Sequence, residues 1–179
     1  EEMLQLCQQK DVGMAGAKLY YPDDTIQHAG VVVGLGGVAA HVLCKLPRDA
    51  EGYMGRLRCV QEISAVTAAC MMVKTSVFKA VGGFDEELKV AFNDIDLCMK
   101  VRKYGVKIVF TPYAELYHYE SKSRGMEDTP EKQLRFSREV NCFRRKWERE
   151  LLKGDPYYNP NLTLNNTDCS LRKQEKNGD

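Results

Sequence analysis

Two acidic residues, Asp94 and Asp96, stand in the run Phe92-Asn93-Asp94-Ile95-Asp96-Leu97-Cys98, shortly after Gly82-Gly83-Phe84-Asp85-Glu86. An ionised carboxylate in such a place can accept the proton of a hydroxyl as its oxygen attacks an electrophilic carbon. A helix start favours the charged form, because free N–H groups and the helix dipole attract negative charge. Asn and Asp are also common helix caps, and on residue chemistry alone capping is the stronger reading of Asp94. Dipole stabilisation suffices to explain Asp96 in the first turn, with orientation of a bound hydroxyl as its weaker role. Gly82 and Gly83 permit positive φ in a tight turn, where Asp85 can hydrogen-bond a ligand hydroxyl.

His118 lies between Tyr117 and Tyr119, company in which a lone histidine is commonly packed and hydrogen-bonded. Ser121-Lys122-Ser123-Arg124-Gly125 follows closely. The cations Lys122 and Arg124, with Ser123, suit a diphosphate through charge-assisted bonds, although short basic loops are usually only solvated. His28 reads as a core histidine and His41 as a loop residue able to line a binding site. Phe143 and Trp147, four apart on a helix, face a core before they serve as sugar platforms. The cluster Arg144, Arg145, Lys146 and Arg149 reads as a solvated helix face, with anionic lipid head groups as its alternative partner.

The elements that must position these groups alternate between strands and helices. Residues 3–9 end a helix. Residues 12–20 read as a buried strand with small residues where another element packs close, and 26–34 as a second strand in a hairpin with it. Residues 34–53 turn Gly-rich and mixed in charge, which reads as a long mobile loop. Residues 63–73 form an apolar interior strand. Ser76 then caps a short helix that stops at Gly82-Gly83. The next helix opens at Asn93 or Asp94, with Leu97, Val101 and Tyr104 at helical spacing until Gly105. Residues 107–110 are a strand, continued by 114–119 beyond Pro112. Thr129 caps a long helix that has Pro130 at its first position and runs to about Leu152.

A chain of 179 residues holds one core, and its hydrophobic and charged fractions of 44% and 28% are those of an ordinary globular domain. A formal charge of +1 argues against a nucleic-acid partner bound through a strong basic field. No apolar run reaches the roughly 20 residues of a membrane span. The amino end does not read as a signal peptide, and opening on Glu1 rather than Met raises the expectation of an excised segment. Seven scattered cysteines with no Cys-x-x-Cys pair predict reduced, largely buried thiols and a cytoplasmic setting. The two Asn-x-Thr triplets at Asn161 and Asn165 are then chance matches.

From about residue 12 to residue 160, the order and spacing of these motifs resemble the family 2 glycosyltransferases. Members carry a Gly-Gly-Phe-Asp turn before a helix opening on an acidic pair, then a strand and a histidine. The resemblance implies an α/β protein with a partial GT-A-like fold: a mixed β-sheet flanked by helices, with a long C-terminal helix. Residues 1–160 would be the acceptor-side part of the domain and 161–179 a polar tail, disordered at its end. The family's nucleotide-binding first half, with its Asp-x-Asp metal motif, has no counterpart in this chain. Asp94-Ile95-Asp96 spells that motif but falls at the catalytic-base position.

By the same resemblance, Asp94 is the base and Asp85 and Asp96 contact the acceptor. His118 is a ligand of Mn²⁺ or Mg²⁺, and Lys122, Ser123 and Arg124 cover the diphosphate. The partners implied are a nucleotide diphosphate sugar and a glycan or lipid-linked acceptor. The setting is cytoplasmic at the inner face of a membrane, with transfer by inversion and little activity in the isolated chain. The alternatives are a non-catalytic glycan-binding or scaffold module and, more remotely, a metal-dependent phosphoesterase using Asp94, Asp96 and His118. The phosphoesterase would want a tighter acidic cluster.

Overall fold

The computed structural model describes residues 1–119 and 129–173. After a short helix α1 (Glu2–Gln8), the run Val12–Tyr20 is buried at every position and forms the central strand β1. A strand covered on both faces reads as a continuous apolar run rather than an alternating one. Its small residues are required by close approach. A Cβ on Gly16 would meet Val66 Cγ1 at 2.3 Å, and one on Gly13 would meet Val106 Cγ2 at the same distance.

One edge of β1 pairs in parallel with β7 (Lys107–Tyr117). The other edge pairs antiparallel with β6 (Met71–Val73) along its first half and with β2 (Ile26–His28) at its far end. A two-residue strand β5 (Gln61–Glu62) closes the outer side of β7. Within β7 the register jumps from Ala17–Thr111 to Lys18–Glu115, so residues 112–114 bulge out. Pro112 has no N–H for the ladder, and a bulge is where a strand tolerates proline.

Several expectations are corrected. Residues 26–34 are two strands in two sheets: the chain bends at Ala29-Gly30, where Gly30 has φ 104°, and β3 (Val31–Val33) leaves to pair with β4 (Ala39–His41). The stretch 34–53 is not a structureless loop. It contains β4 and buries Leu35, Val42 and Leu43. It is also clamped by residues 161–171, expected to begin a polar tail: the N–H groups of Gly36 and Leu43 donate to the carbonyls of Leu164 and Thr167 at 2.8 and 2.6 Å. Of residues 63–73 only β6 is a strand. Ile63 and Val66 are core outside any strand and Ala65 makes only an isolated antiparallel bridge to Val31, the ambiguity that short apolar runs always carry.

Ser76 does not cap α2 (Thr75–Ala80), which begins after Lys74 with no side-chain cap. The next helix, α3 (Asn93–Lys103), buries Leu97 and Val101 as expected, but Tyr104 falls after its last turn and is 56% exposed. Thr129 and Pro130 open α4 (Pro130–Lys146) as the sequence predicts, Thr129 Oγ1 accepting from the Lys132 N–H. The long helix breaks at Trp147, and α5 (Glu148–Lys153) completes it.

Phe143 and Trp147 are buried in one continuous core that also takes in β3, α3 and Leu162. All seven cysteines are free, and Cys7, Cys98 and Cys169 are buried. Among the described residues no helix is long and apolar enough to cross a membrane. Gly16→Ala should lower stability by about 1–3 kcal/mol, since a rigid β-branched neighbour must move to admit the methyl. Urea unfolding of the two chains checks this through the midpoint at unchanged slope.

Candidate functional site

The short turn at Gly105, with φ 95°, returns the chain from α3 into β7, and α3 packs on β7 and β1. The start of α3 therefore lies toward the carboxyl ends of the parallel pair β1 and β7, where His118 also follows β7. Crevices outside the carboxyl ends of parallel strands are the usual ligand sites of α/β sheets.

Asp94 is half-buried in the first turn of α3. Its Oδ2 accepts the Ala68 N–H at 3.0 Å and its Oδ1 the Ile95 N–H at 2.9 Å. The cap position belongs to Phe92, at φ 62°, so Asp94 is not the N-cap of its helix. Instead it ties α3 to the turn at Thr67-Ala68. Each carboxylate oxygen keeps acceptor capacity after one hydrogen bond, which is what a hydroxyl proton needs.

Asp96 sits in a different environment. It has no exposed surface, and its Oδ1 accepts the Trp147 indole N–H at 2.8 Å and faces Lys146 Nζ at 2.7 Å. Its Oδ2 faces Lys100 Nζ at 3.2 Å, an ion pair without the alignment of a hydrogen bond. Lys146 also holds Asp85 Oδ2, while Lys100 donates to the Gly83 carbonyl at 2.5 Å. The Lys146 ammonium, followed by the Glu87 N–H, keeps the Asp85 carboxyl below the usual range. Burial pulls the Lys146 pKa down, but its bonds to Asp85 and Asp96 outweigh that and leave it raised. Asp85 and Asp96 are thus joined through Lys146, and Asp96 faces the interior.

Glu139, which the sequence reading passed over, does parallel work. It is buried on α4, and its two oxygens accept the N–H groups of Val90 and Ala91 at 3.1 and 2.9 Å, just ahead of α3. Its one sequence signal is the i,i+4 spacing from Arg135, 3.8 Å away.

His118 is half-buried, and its Nδ1 bonds Gln27 Oε1 at 2.8 Å. An amide oxygen can only accept, so with this pairing the proton is on Nδ1 and the lone pair on Nε2, the form a metal-ligating imidazole takes; such an outer partner is what usually orients one. His118 fits a metal as a single ligand. Among the described residues no group of three or more His, Cys, Asp or Glu could hold an ion. His118 lines a cavity of about 270 Å³ together with Gln27, His41, Thr67 and Thr167. Its wall is joined to Asp94 by the Thr67-Ala68 turn: the Thr67 N–H donates to buried His28 Nε2 at 3.4 Å and the Ala68 N–H to Asp94. Lys122, Ser123 and Arg124 lie outside the described residues. A larger cavity, about 610 Å³, lies by Arg102, Lys103 and Gly105, at the opposite end of α3 from Asp94.

Residues 1–139 match the model of the glycosyltransferase-like family 2, and the chain belongs to that family. The mixed sheet with its flanking helices is accordingly a partial GT-A-like fold. The chain is similar to the uncharacterised protein y4gI of Sinorhizobium fredii, 58% identical over 95% of this chain and 19% of that protein. It is 38% identical to the O-antigen biosynthesis protein RfbC of Myxococcus xanthus over 100% of this chain and 14% of that protein. A shorter match, 36% over 35% of this chain and 20% of the relative, is to an N-acetylglucosaminyl-diphospho-decaprenol L-rhamnosyltransferase of Mycobacterium tuberculosis. The chain spans less than a fifth of the first two relatives. No solved structure matches it.

Asp96→Ala leaves Lys146 and the Trp147 N–H without their buried acceptor, and should cost about 3–5 kcal/mol in urea unfolding. A pH effect comes from His28. Burial, then the neighbouring His41, holds its pKa well below the ordinary 6.5. The unfolded chain binds that proton and the folded chain does not. The stabilisation is therefore complete above about pH 6.5 and falls by up to about 1.4 kcal/mol per pH unit below it. His28→Gln should remove that slope from unfolding midpoints compared at about pH 7.5 and 5.5.

Proposed function

We propose that the protein carrying this chain transfers a sugar of the hexosyl type from a nucleotide diphosphate sugar to a hydroxyl of a glycan or lipid-linked acceptor. This chain supplies the acceptor side and the base. The observation that carries the reading is Asp94: a half-buried carboxylate at a helix start, oriented by two backbone N–H groups and still able to accept a proton. The names of the O-antigen and rhamnosyltransferase relatives support a role in polysaccharide biosynthesis at the cell envelope.

The reaction is a single displacement with inversion. The acceptor oxygen attacks the anomeric carbon as Asp94 takes its proton, and the bond from that carbon to the diphosphate oxygen breaks with its electron pair leaving on the phosphate. Asp85 and Asp96 serve the acceptor by holding the Gly82-Gly83 turn and α3 in place. His118 Nε2 is the atom this chain offers to a divalent cation, and Lys122, Ser123 and Arg124 cover the diphosphate. Mn²⁺ or Mg²⁺ there would neutralise charge on the departing diphosphate. The remaining ligands and the nucleotide pocket come from outside this chain, so alone it should be nearly inactive. The setting is the cytoplasmic face of a membrane, touched peripherally by the Arg144, Arg145 and Arg149 side of α4 and α5, and nucleic acid is not a partner.

Transfer by the full-length protein, assayed over a panel of nucleotide sugars with Mn²⁺ or Mg²⁺, tests this. Asp94→Asn should keep donor KM and lose on the order of 10²-fold or more in kcat. Normal turnover by the variant would remove Asp94 as base, and the absence of transfer by the intact protein with every donor would remove the reading.

A further inference from the structure

We propose that Lys18, with Arg48 and Arg58, binds an oxyanion carried on a sugar, either a carboxylate or a phosphate ester. The site stands on its own geometry, and only its assignment to the acceptor rests on the proposed function.

Lys18 lies on β1 where the ladder to β7 jumps from Ala17–Thr111 to Lys18–Glu115, and it is 4% exposed. A lysine so enclosed normally gives its ammonium a carboxylate or carbonyl acceptor. Among the described residues, Nζ instead has the Tyr20 ring 5.4 Å away, with no hydrogen-bond acceptor and no carboxylate at ion-pair distance. The carboxylate that acts on it, Glu115, is engaged elsewhere: Oε1 accepts the Tyr20 hydroxyl at 2.5 Å and Oε2 accepts from Arg48 at 2.7 Å. Burial lowers the Lys18 pKa, Glu115 opposes that, and Arg58 and Arg48 add to the fall.

A lysine can bury its stem and send its head to water. Here the head is sent among other cations. Arg48 Cζ stands 4.6 Å from the centre of the same Tyr20 ring, and Tyr117 and Asp24 also hold its guanidinium, at 2.9 and 3.5 Å. Arg58 is fixed by the Asp49 carbonyl at 3.0 Å and Glu51 at 3.5 Å. Each guanidinium has five N–H donors and keeps some unspent. Among the described residues, the enclosed side-chain polar atoms that lack a bond are Asp96 Oδ2 and Arg135 Nε, so the Lys18 ammonium is not sealed from a ligand.

The ligand class follows from these groups. Ammonium and guanidinium only donate, and a partly desolvated cation favours a charged acceptor, so the group bound is an oxyanion. The bulge at 112–114 adds an apolar element, as bulges beside functional sites do when they re-aim side chains. Tyr113 there is 63% exposed, with its hydroxyl donating to the Arg58 carbonyl at 3.1 Å. An open aromatic ring beside a cation cluster suits a pyranose that bears an acid. Lys18 is two residues ahead of Tyr20, whose carbonyl accepts the His118 N–H, which sets the site near the proposed centre.

Isothermal titration of this chain with glucuronate, glucose 6-phosphate and glucose tests the site. At least one acid should bind, and glucose should bind about tenfold more weakly or less. Binding of glucuronate alone identifies a carboxylate, of glucose 6-phosphate alone a phosphate, and of both an oxyanion of either kind. Lys18→Met, which keeps an apolar stem, should weaken acid binding about tenfold, and Lys18→Arg should keep most of it. Glu115→Gln removes a repelling charge while leaving an acceptor for Arg48, and should tighten binding, an effect that a merely buried lysine would not produce. Arg58→Gln, at an exposed residue, should weaken binding and serves if the Lys18 variants do not fold. Binding of neither acid, equal binding of glucose, or acid binding unchanged in Lys18→Met overturns the inference, as does unchanged binding in Arg58→Gln if Lys18→Met does not fold.

In the full-length protein the bound acid should inhibit transfer competitively against the acceptor and not against the nucleotide sugar. Competition with the nucleotide sugar instead overturns the assignment to the acceptor. Asp94-dependent transfer without Lys18-dependent acid binding sinks the site and leaves the proposed function standing. Acid binding by this chain, with no transfer by the full-length protein, does the reverse.

Discussion

A carboxylate with no exposed surface must be paired, and much of the site's geometry follows from how Asp96 is paired. Its partners come from three places: Lys100 one turn along α3, Lys146 at the end of α4, and the Trp147 indole where the long helix breaks. The same two lysines reach on to the Gly83 carbonyl and to Asp85. One buried charge thus fixes the angle between α3 and α4 and the shape of the turn ahead of α3. Buried ion pairs contribute little net stability against apolar substitutes, but removing one member leaves an unpaired charge and is costly. Their best-attested use is to specify one arrangement, and here the arrangement specified is the start of α3.

Glu139 applies a second constraint from the middle of α4. By holding the Val90 and Ala91 amides it fixes the entry to α3, while Phe92, whose ring stacks near Phe136 and Phe143, takes the left-handed conformation before the first turn. Asp94 is left with one adjustable contact, the Ala68 N–H, and that contact belongs to the turn whose neighbouring amide orients His28. The base proposed at Asp94 and the cavity wall at His41 are therefore two readouts of one turn.

What the sequence disclosed, and what it hid, divides by the range of the interaction. α3 and α4 were legible because their signals are local: apolar spacing at Leu97 and Val101, and a Thr129 cap followed by Pro130. The central strand was legible because Gly13 and Gly16 announce close packing. The 34–53 segment was misread because its order comes from residues more than a hundred positions away, through the carbonyls of Leu164 and Thr167. Residues 63–73 were misread because the burial of 63–66, with only the isolated bridge from Ala65 to Val31, leaves no period. Among the site residues, Asp94 and His118 stood out by motif order. Gln27, Glu139 and the pairing of His28 with His41 did not, since each acts across elements that only the fold brings together.

The spelling Asp94-Ile95-Asp96 shows why a motif needs its element before its chemistry can be assigned. On a strand or an extended loop, two aspartates two apart project to the same side and can share a cation. On a helix they are rotated by roughly 200° and face opposite ways. The environments bear this out: Asp94 is half-exposed and held by backbone amides, whereas Asp96 is enclosed by Trp147 and two lysines. No ion could be chelated between them without unwinding the first turn of α3 and stripping Asp96 of its partners. A metal working at this site must draw its acidic ligands from outside this helix. The helical setting instead gives the two carboxylates separate tasks, one turned inward to brace the frame and one turned outward with a lone pair free.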